Sequence, residues 1–281
     1  MGRNLVAPSL RGQVYGFQFG NTLFAVDAAC GGRIVACSLD GQDILLPAGS
    51  GNNYGSTFWP SPQADWGWPP PVEIDSQPYQ PALDGPVLSL VGAPAPGLGL
   101  AASKRFSADA TTRSVTVQYS LTNLGPHPRR AAPWEITRVA AGGLTFFPMG
   151  QGEPRQGPQD LLPLQIQDGV AWFPYDGARI NSDQKVFADG SEGWIAHAQG
   201  DLLLVKSFAD TSPAQAAPGE AEIELYANAD RTYVEVENQG AFGEIACGGS
   251  ISWTVRWFLR RLDTAAQPGP ALVDTVRALL R

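Results

Sequence analysis

The sequence predicts an all-β sandwich, and three observations predict it. Glycine and proline are abundant, 32 and 24 among 281 residues, while only 16% of residues are charged. That mix suits a turn-rich β fold better than a helical bundle. Short β-rich runs recur between Gly, Pro, Asn and Asp, and several alternate with period two. Helical periodicity is scarce. The length is ample for a real core and is read as one domain over residues 1–281.

The expected strands are Gln13–Phe19, Leu23–Val26, Arg33–Leu39, Ser114–Leu121, Gly193–His197, Leu202–Phe208, Ala221–Ala227, Thr232–Glu237 and Ser252–Leu259. In the last of these, Trp253, Val255, Trp257 and Leu259 share one face. In Thr232–Glu237, Val234 and Val236 claim the core, so Glu235 and Glu237 face away from it. Leu90–Leu100 reads as a surface loop inside the domain. The one good helix is C-terminal, where Leu272, Val276 and Leu279 fall at i, i+4 and i+7 after Pro270.

Composition also excludes. Nineteen basic against 27 acidic side chains give a net charge of −8. Nucleic acid is not expected as a partner, because phosphate binding needs clustered Lys and Arg. No run of about 18 apolar residues suggests a membrane-spanning helix. The opening MGRNLVAPSLRGQ lacks the apolar core of a signal peptide. The chain as written is therefore read as cytoplasmic, or as periplasmic or secreted if a signal was removed before Met1. Two His and three Cys, with no CxxC or HExxH spacing, argue against zinc. No cofactor is expected. The odd cysteine count argues against a disulfide framework and for thiols buried as small hydrophobes.

Chemistry concentrates in three segments. Asn52–Pro71 holds Tyr54, Phe58, Trp59, Trp66 and Trp68 beside Gln63 and Asp65, stiffened by prolines into an irregular loop. Rigid aromatic faces suit the C–H faces of a sugar ring, and amide and carboxylate groups suit its hydroxyls. The same indoles would equally plug one end of a sandwich. Tyr233–Phe242 places Glu235 and Glu237 on one strand face, a pattern for a general acid or base, or for a solvated strand. Ala132–Val139 crowds Trp134, Glu135 and Arg138 after a turn; the charged pair could bind each other or a polyol. His127 reads as an exposed loop residue. His197 reads as a hydrogen-bonded structural residue or an acid. Lys206, ending an apolar strand, reads as a snorkelling cation or one that faces a cleft.

These residues fall into a pattern. AACGGRIVACSLDGQDIL, with Gly32, Arg33, Gly41 and Leu45, resembles the opening strands of galactose mutarotase-like (aldose 1-epimerase) proteins. VTVQYSLTNLGPHP resembles their central strand and turn. VEVENQGAF resembles the late motif in which a catalytic Glu precedes Gln by two, here Glu237 and Gln239. GGSISWTVRWFL resembles the last long strand, with Ser250 where an acid often sits. The aromatic loop and APWEITRV look closer to a bacterial branch of the superfamily than to true epimerases.

The resemblance implies a β-supersandwich with a short C-terminal helix and an open, sugar-binding face. It implies a mono- or oligosaccharide ligand and epimerase-like acid/base chemistry at the anomeric carbon. Glu237 would be the base. The family's usual His acid has no counterpart, since Trp134 and Glu135 occupy the corresponding stretch Ala132–Ile136. Glu135 or His197 would then be the acid. Arg33, Trp59, Gln63, Asp65, Trp66, Trp68, Trp134, Arg138, Lys206 and Gln239 would bind substrate. The alternatives are a non-catalytic carbohydrate-binding protein and a β-sandwich that binds a protein partner through the aromatic loop.

Overall fold

Alternating runs pair into ladders wherever one face can be buried, and here two large sheets result. The structure, a computed structural model, describes residues 4–49 and 51–281. Strand accounts for 49% and helix for 9%. One sheet has eleven strands, from Gln165–Gln167 at one edge through Ser250–Arg261 to Gln80–Asp84 at the other. The second has twelve, from Asp160–Leu161 through Arg129–Ala140 to Ser9–Arg11. Among the described residues every pairing is antiparallel except that of Asp160–Leu161 with Gln184–Ala188.

The main core lies between the sheets. Trp253, Val255, Trp257 and Leu259 enter it from one side, and Val186, Leu225, Val234 and Val236 from the other. Each apolar set sits at period two, as the pleat requires. A second cluster lies outside the eleven-stranded sheet, where Phe146, Trp172, Trp194 and Phe258 are covered by helix Pro270–Leu280. Leu272, Val273 and Val276 form its buried stripe, and Pro270 opens it. No helix among the described residues is long and apolar enough to cross a membrane.

The nine expected strands are present, several longer than expected. Leu90–Leu100 joins two strands, Val87–Val91 and Leu100–Asp109, that pair with each other. Of the cysteines only Cys37 is buried; Cys30 is half-buried and Cys247 exposed. The expected buried thiols therefore reduce to one.

Two segments differ from the sequence reading in a way that matters. Ser56–Ser61, expected inside an irregular loop, is a wholly buried strand. Ala132–Val139 belongs to the long strand Arg129–Ala140. These two strands pair with Pro60 directly opposite Pro133. Neither proline has an N–H to give, so this is a pair at which the ladder needs no hydrogen bond. Between these two strands the prolines that argued against a strand therefore remove no ladder bond.

Candidate functional site

The twelve-stranded sheet has one face in the core and one turned to the outside, and the outer face carries unusual chemistry. Register places side chains in rows across it. Arg138 lies opposite Glu235, Glu235 opposite Tyr226, and Tyr226 opposite Lys185. In the next row Thr57, Ile136, Glu237, Glu224 and Phe187 are successive partners. Trp59 and Trp134 face each other beyond that row. Loops cross above, and where the backbone N–H of Gln63 donates to Glu220 (2.9 Å) two of them join.

Between these groups lies a cavity of about 330 Å³, lined by Asn53, Trp59, Gln63, Trp68, Trp134, Gln159, Lys185, Tyr226, Tyr233 and Glu235. Small-molecule sites are of this size and character, largely aromatic with a few convergent polar groups.

The indoles form one assembly. The ring of Trp59 meets those of Trp134, Trp66 and Trp68 edge-on at 5.3, 5.6 and 6.0 Å. Its Nε1–H donates to Asp75 Oδ1 (2.9 Å), and Asp75 pairs with buried Arg33 at 3.2 Å. Arg33 also donates to the carbonyl of Asn52 (2.7 Å), so it ties the covering loop down rather than reaching the cavity. Trp66 donates Nε1–H to the Pro60 carbonyl (2.8 Å) and backs Trp59 from outside the cavity. Trp68 is 64% exposed at the rim.

The charged groups are matched in a defined way. Arg138 Nε donates to Glu235 Oε1 (2.8 Å) and its guanidinium lies 5.4 Å from the Trp59 ring. Lys185 Nζ stands 2.7 Å from Glu224 and 3.1 Å from Glu237, and 5.1 Å from the Trp134 ring. Trp134 Nε1–H donates to Glu237 (2.9 Å), and Gln239 Nε2–H donates to Glu224 (2.7 Å). One ammonium thus serves two buried carboxylates. Burial opposes its charge, but Glu224 and Glu237 outweigh burial and hold Lys185 above the ordinary lysine value. Burial likewise pushes the Glu224 carboxyl up, against the pull of Lys185.

Glu237, like Glu224, is 0% exposed, and it lies beneath Trp134 and Lys185. Burial pushes its pKa up from 4.5 to about 7, with Lys185 pulling the other way. A carboxyl whose folded value lies above its unfolded one holds its proton more tightly when folded. Its contribution to stability is complete below about pH 4.5 and fades as pH rises through about 7. The unfolding free energy should therefore fall with pH across that window, and Glu237→Gln should flatten the slope. Urea titrations of both proteins at several pH values check this, and parallel slopes would contradict it.

The sequence-derived site residues divide. Trp59, Gln63, Trp68 and Trp134 line the cavity. Glu237, Arg138 and Gln239 lie on the same outer face, packed against or beneath its lining. Asp65 is exposed in a single turn of helix, Gln63–Asp65, away from the lining. Glu135, Lys206 and His197 point the other way, into the space between the sheets. Strand alternation sends Trp134, Ile136 and Arg138 outward and Glu135 inward, where it pairs with Lys206 at 3.2 Å. Neither is exposed. His197 is fully buried, bonded to Thr145 (2.9 Å), and burial pushes its pKa down to about 4. All three lie away from the cavity lining, on the other side of the sheet. The sequence reading missed Lys185, Glu224, Tyr226, Tyr233, Asn53 and Gln159. Lys185 was open to discovery as a lone charge in the apolar run QKVFA, the same signal that marked Lys206. Among the described residues no group of three or more His, Cys, Asp or Glu could hold a metal ion.

A family model described as "Domain of unknown function (DUF4380)" matches residues 60–260. No curated protein matches the sequence. Solved structures do. A galactose mutarotase-like protein from Lactobacillus casei aligns at 11% identity over 88% of this chain and all of its own, with a TM-score of 0.62. A candidate aldose 1-epimerase from Escherichia coli K12 aligns at 13% identity over 89% of this chain and 99% of its own, with a TM-score of 0.58. A galactose mutarotase related enzyme from Lactobacillus acidophilus aligns at 5% identity over 90% of this chain and all of its own, with a TM-score of 0.59. At such identities the likeness is one of fold, and the fold is the galactose mutarotase-like β-sandwich.

Proposed function

This chain belongs to the DUF4380 family and carries it on a galactose mutarotase-like fold; from that premise we propose that its outer-face cleft binds a carbohydrate ring. One observation carries the reading. Trp59, Trp68 and Trp134 line a single cavity together with the amides of Asn53, Gln63 and Gln159 and the charges of Glu235 and Lys185. Indole faces remove the C–H face of a pyranose from water, and the polar groups around them take its hydroxyls. Structural neighbours described as epimerases and mutarotase-like proteins support a carbohydrate-related role by analogy of fold, which by itself does not assign an activity.

In this reading Glu237 holds rather than reacts. It is covered by the Trp134 indole and the Lys185 ammonium and orients both. Glu224, on the neighbouring strand, holds Lys185 and the Gln239 amide. The test is a glycan array followed by titration of free mono- and oligosaccharides against intrinsic tryptophan fluorescence. Array signals competed by the free sugar, with a matching fluorescence change, are expected. A silent array together with flat titrations removes the carbohydrate reading and leaves the aromatic loop as a protein-binding surface.

A catalytic reading has its own supporting observation: two groups of opposite kind reach the same cavity. Mutarotation needs a base for the anomeric hydroxyl proton and an acid for the ring oxygen. Glu235 would accept the first proton, water would supply the second, and Lys185, kept charged by its two carboxylates, would stabilise the negative charge developing at the sugar oxygen. NMR exchange spectroscopy of galactose and glucose anomers separates catalysis from binding. Exchange faster than in buffer supports the enzyme; binding without it leaves a carbohydrate-binding protein.

A further inference from the structure

Resting on the carbohydrate reading, we propose that the cleft selects a basic sugar, a hexosamine with a free ammonium group, over neutral and acidic ones. The charges at the site carry the argument. Its two cations, Lys185 and Arg138, face three carboxylates, Glu224, Glu235 and Glu237. Each cation is already engaged, Lys185 by two carboxylates and Arg138 by Glu235. A uronic acid entering the cavity meets no unmatched positive charge.

An ammonium group meets the opposite situation. Arg138 bonds only Oε1 of Glu235; Oε2 takes no donor from the described residues, and Glu235 lines the cavity. That oxygen can accept a charge-assisted hydrogen bond, stronger than a neutral one. The same cavity is lined by π-systems that favour positive charge. Lys185 and Arg138 already lie over Trp134 and Trp59, which leaves Trp68, Tyr226 and Tyr233 as the lining rings not so engaged by the protein's own cations. Acetylation of the sugar nitrogen would remove both attractions while keeping the ring.

The probes are glucosamine, glucose, N-acetylglucosamine and glucuronic acid, with choline as a cation that has no sugar ring. Calorimetry is run on the full chain slightly above pH 7, where Glu237, held at about 7, is largely ionised and much of the sugar amine, like an α-amino group, is still protonated. Glucosamine should bind about tenfold more tightly than glucose or N-acetylglucosamine, with glucuronic acid weakest. Salt at about 0.5 M should erode most of that preference, because a partly exposed ion pair is screened. This arm uses the wild type and needs no variant to fold. Glu235→Gln should level glucosamine with glucose, because the charge that separates them is gone while an amide remains in its place. Equal affinities for glucosamine and glucose would overturn the proposal and leave the carbohydrate reading intact. Choline matching glucosamine, with glucose unbound, would overturn both, as would the absence of any binding.

Discussion

Lys206→Met should lower the unfolding free energy by about 3–5 kcal/mol, the usual cost of breaking a buried ion pair by removing one partner. Lys206 and Glu135 meet at 3.2 Å between the sheets, and neither is exposed. The ammonium also donates to Thr137 Oγ1 (3.0 Å) and the Val236 carbonyl (2.8 Å). Glu135 accepts from the hydroxyl of Tyr119 (2.5 Å) and the indole of Trp257 (3.2 Å), which belong to the opposite sheet. The pair therefore bolts the two sheets together through residues on both. Burial pulls Lys206 down from the ordinary lysine value, and Glu135 pulls the other way. Methionine fills the space of the stem but leaves Glu135 without its cation. Denaturant unfolding measures the loss. Adding Glu135→Leu to Lys206→Met should recover a substantial part of it, since no orphaned carboxylate then remains. A single-variant loss below about 1 kcal/mol would mean that water or a neighbour already shares the charge.

The same pair explains what was legible in the sequence and what was not. Alternation in Ser252–Leu259 and Thr232–Glu237 assigns core positions correctly, because one face of each strand is almost wholly apolar. It does not say what covers the other face. Glu235 and Glu237 do turn away from the core between the sheets, yet loops and Trp134 bury Glu237 on the outer side as well. The run Trp134, Glu135, Arg138 reads as one cluster only if the segment is a turn. Once it is a strand, adjacent residues part company, and Glu135 goes to the core while its neighbours go to the cleft. Lys206 and Lys185 share a sequence signature and have opposite addresses, since register, not composition, decides which side of a sheet a lone lysine meets. Lys185 and Glu237 are 52 residues apart in sequence and Asp75 and Trp59 only 16, but both contacts depend on topology that local pattern does not encode.

Trp68→Ala should weaken binding of any sugar the cleft holds by about 1 kcal/mol, roughly fivefold in dissociation constant, as expected for an aromatic stacking contact at the rim. The choice of indole matters. Trp134 is 1% exposed and braced by Glu237, so its truncation opens a void costing about 3–5 kcal/mol of stability and confounds any reading of affinity. Trp59 is pinned to Asp75 and shares that difficulty. Trp68 touches the assembly only at its edge, 6.0 Å from the Trp59 ring, and is 64% exposed. Its loss should leave the melting temperature nearly unchanged, because a surface residue outside the core typically shifts stability by no more than about 0.5 kcal/mol. Calorimetric titration and thermal unfolding of the same preparation give both numbers. A loss of affinity of that size at constant stability places the ring against the ligand. Unchanged affinity would mean that the exposed indole serves another purpose and that the ligand lies deeper, on Trp134, Lys185 and Glu235. A fall in stability equal to the fall in affinity would instead make Trp68 a clasp for the covering loop, with the ligand contact supplied by the residues beneath it.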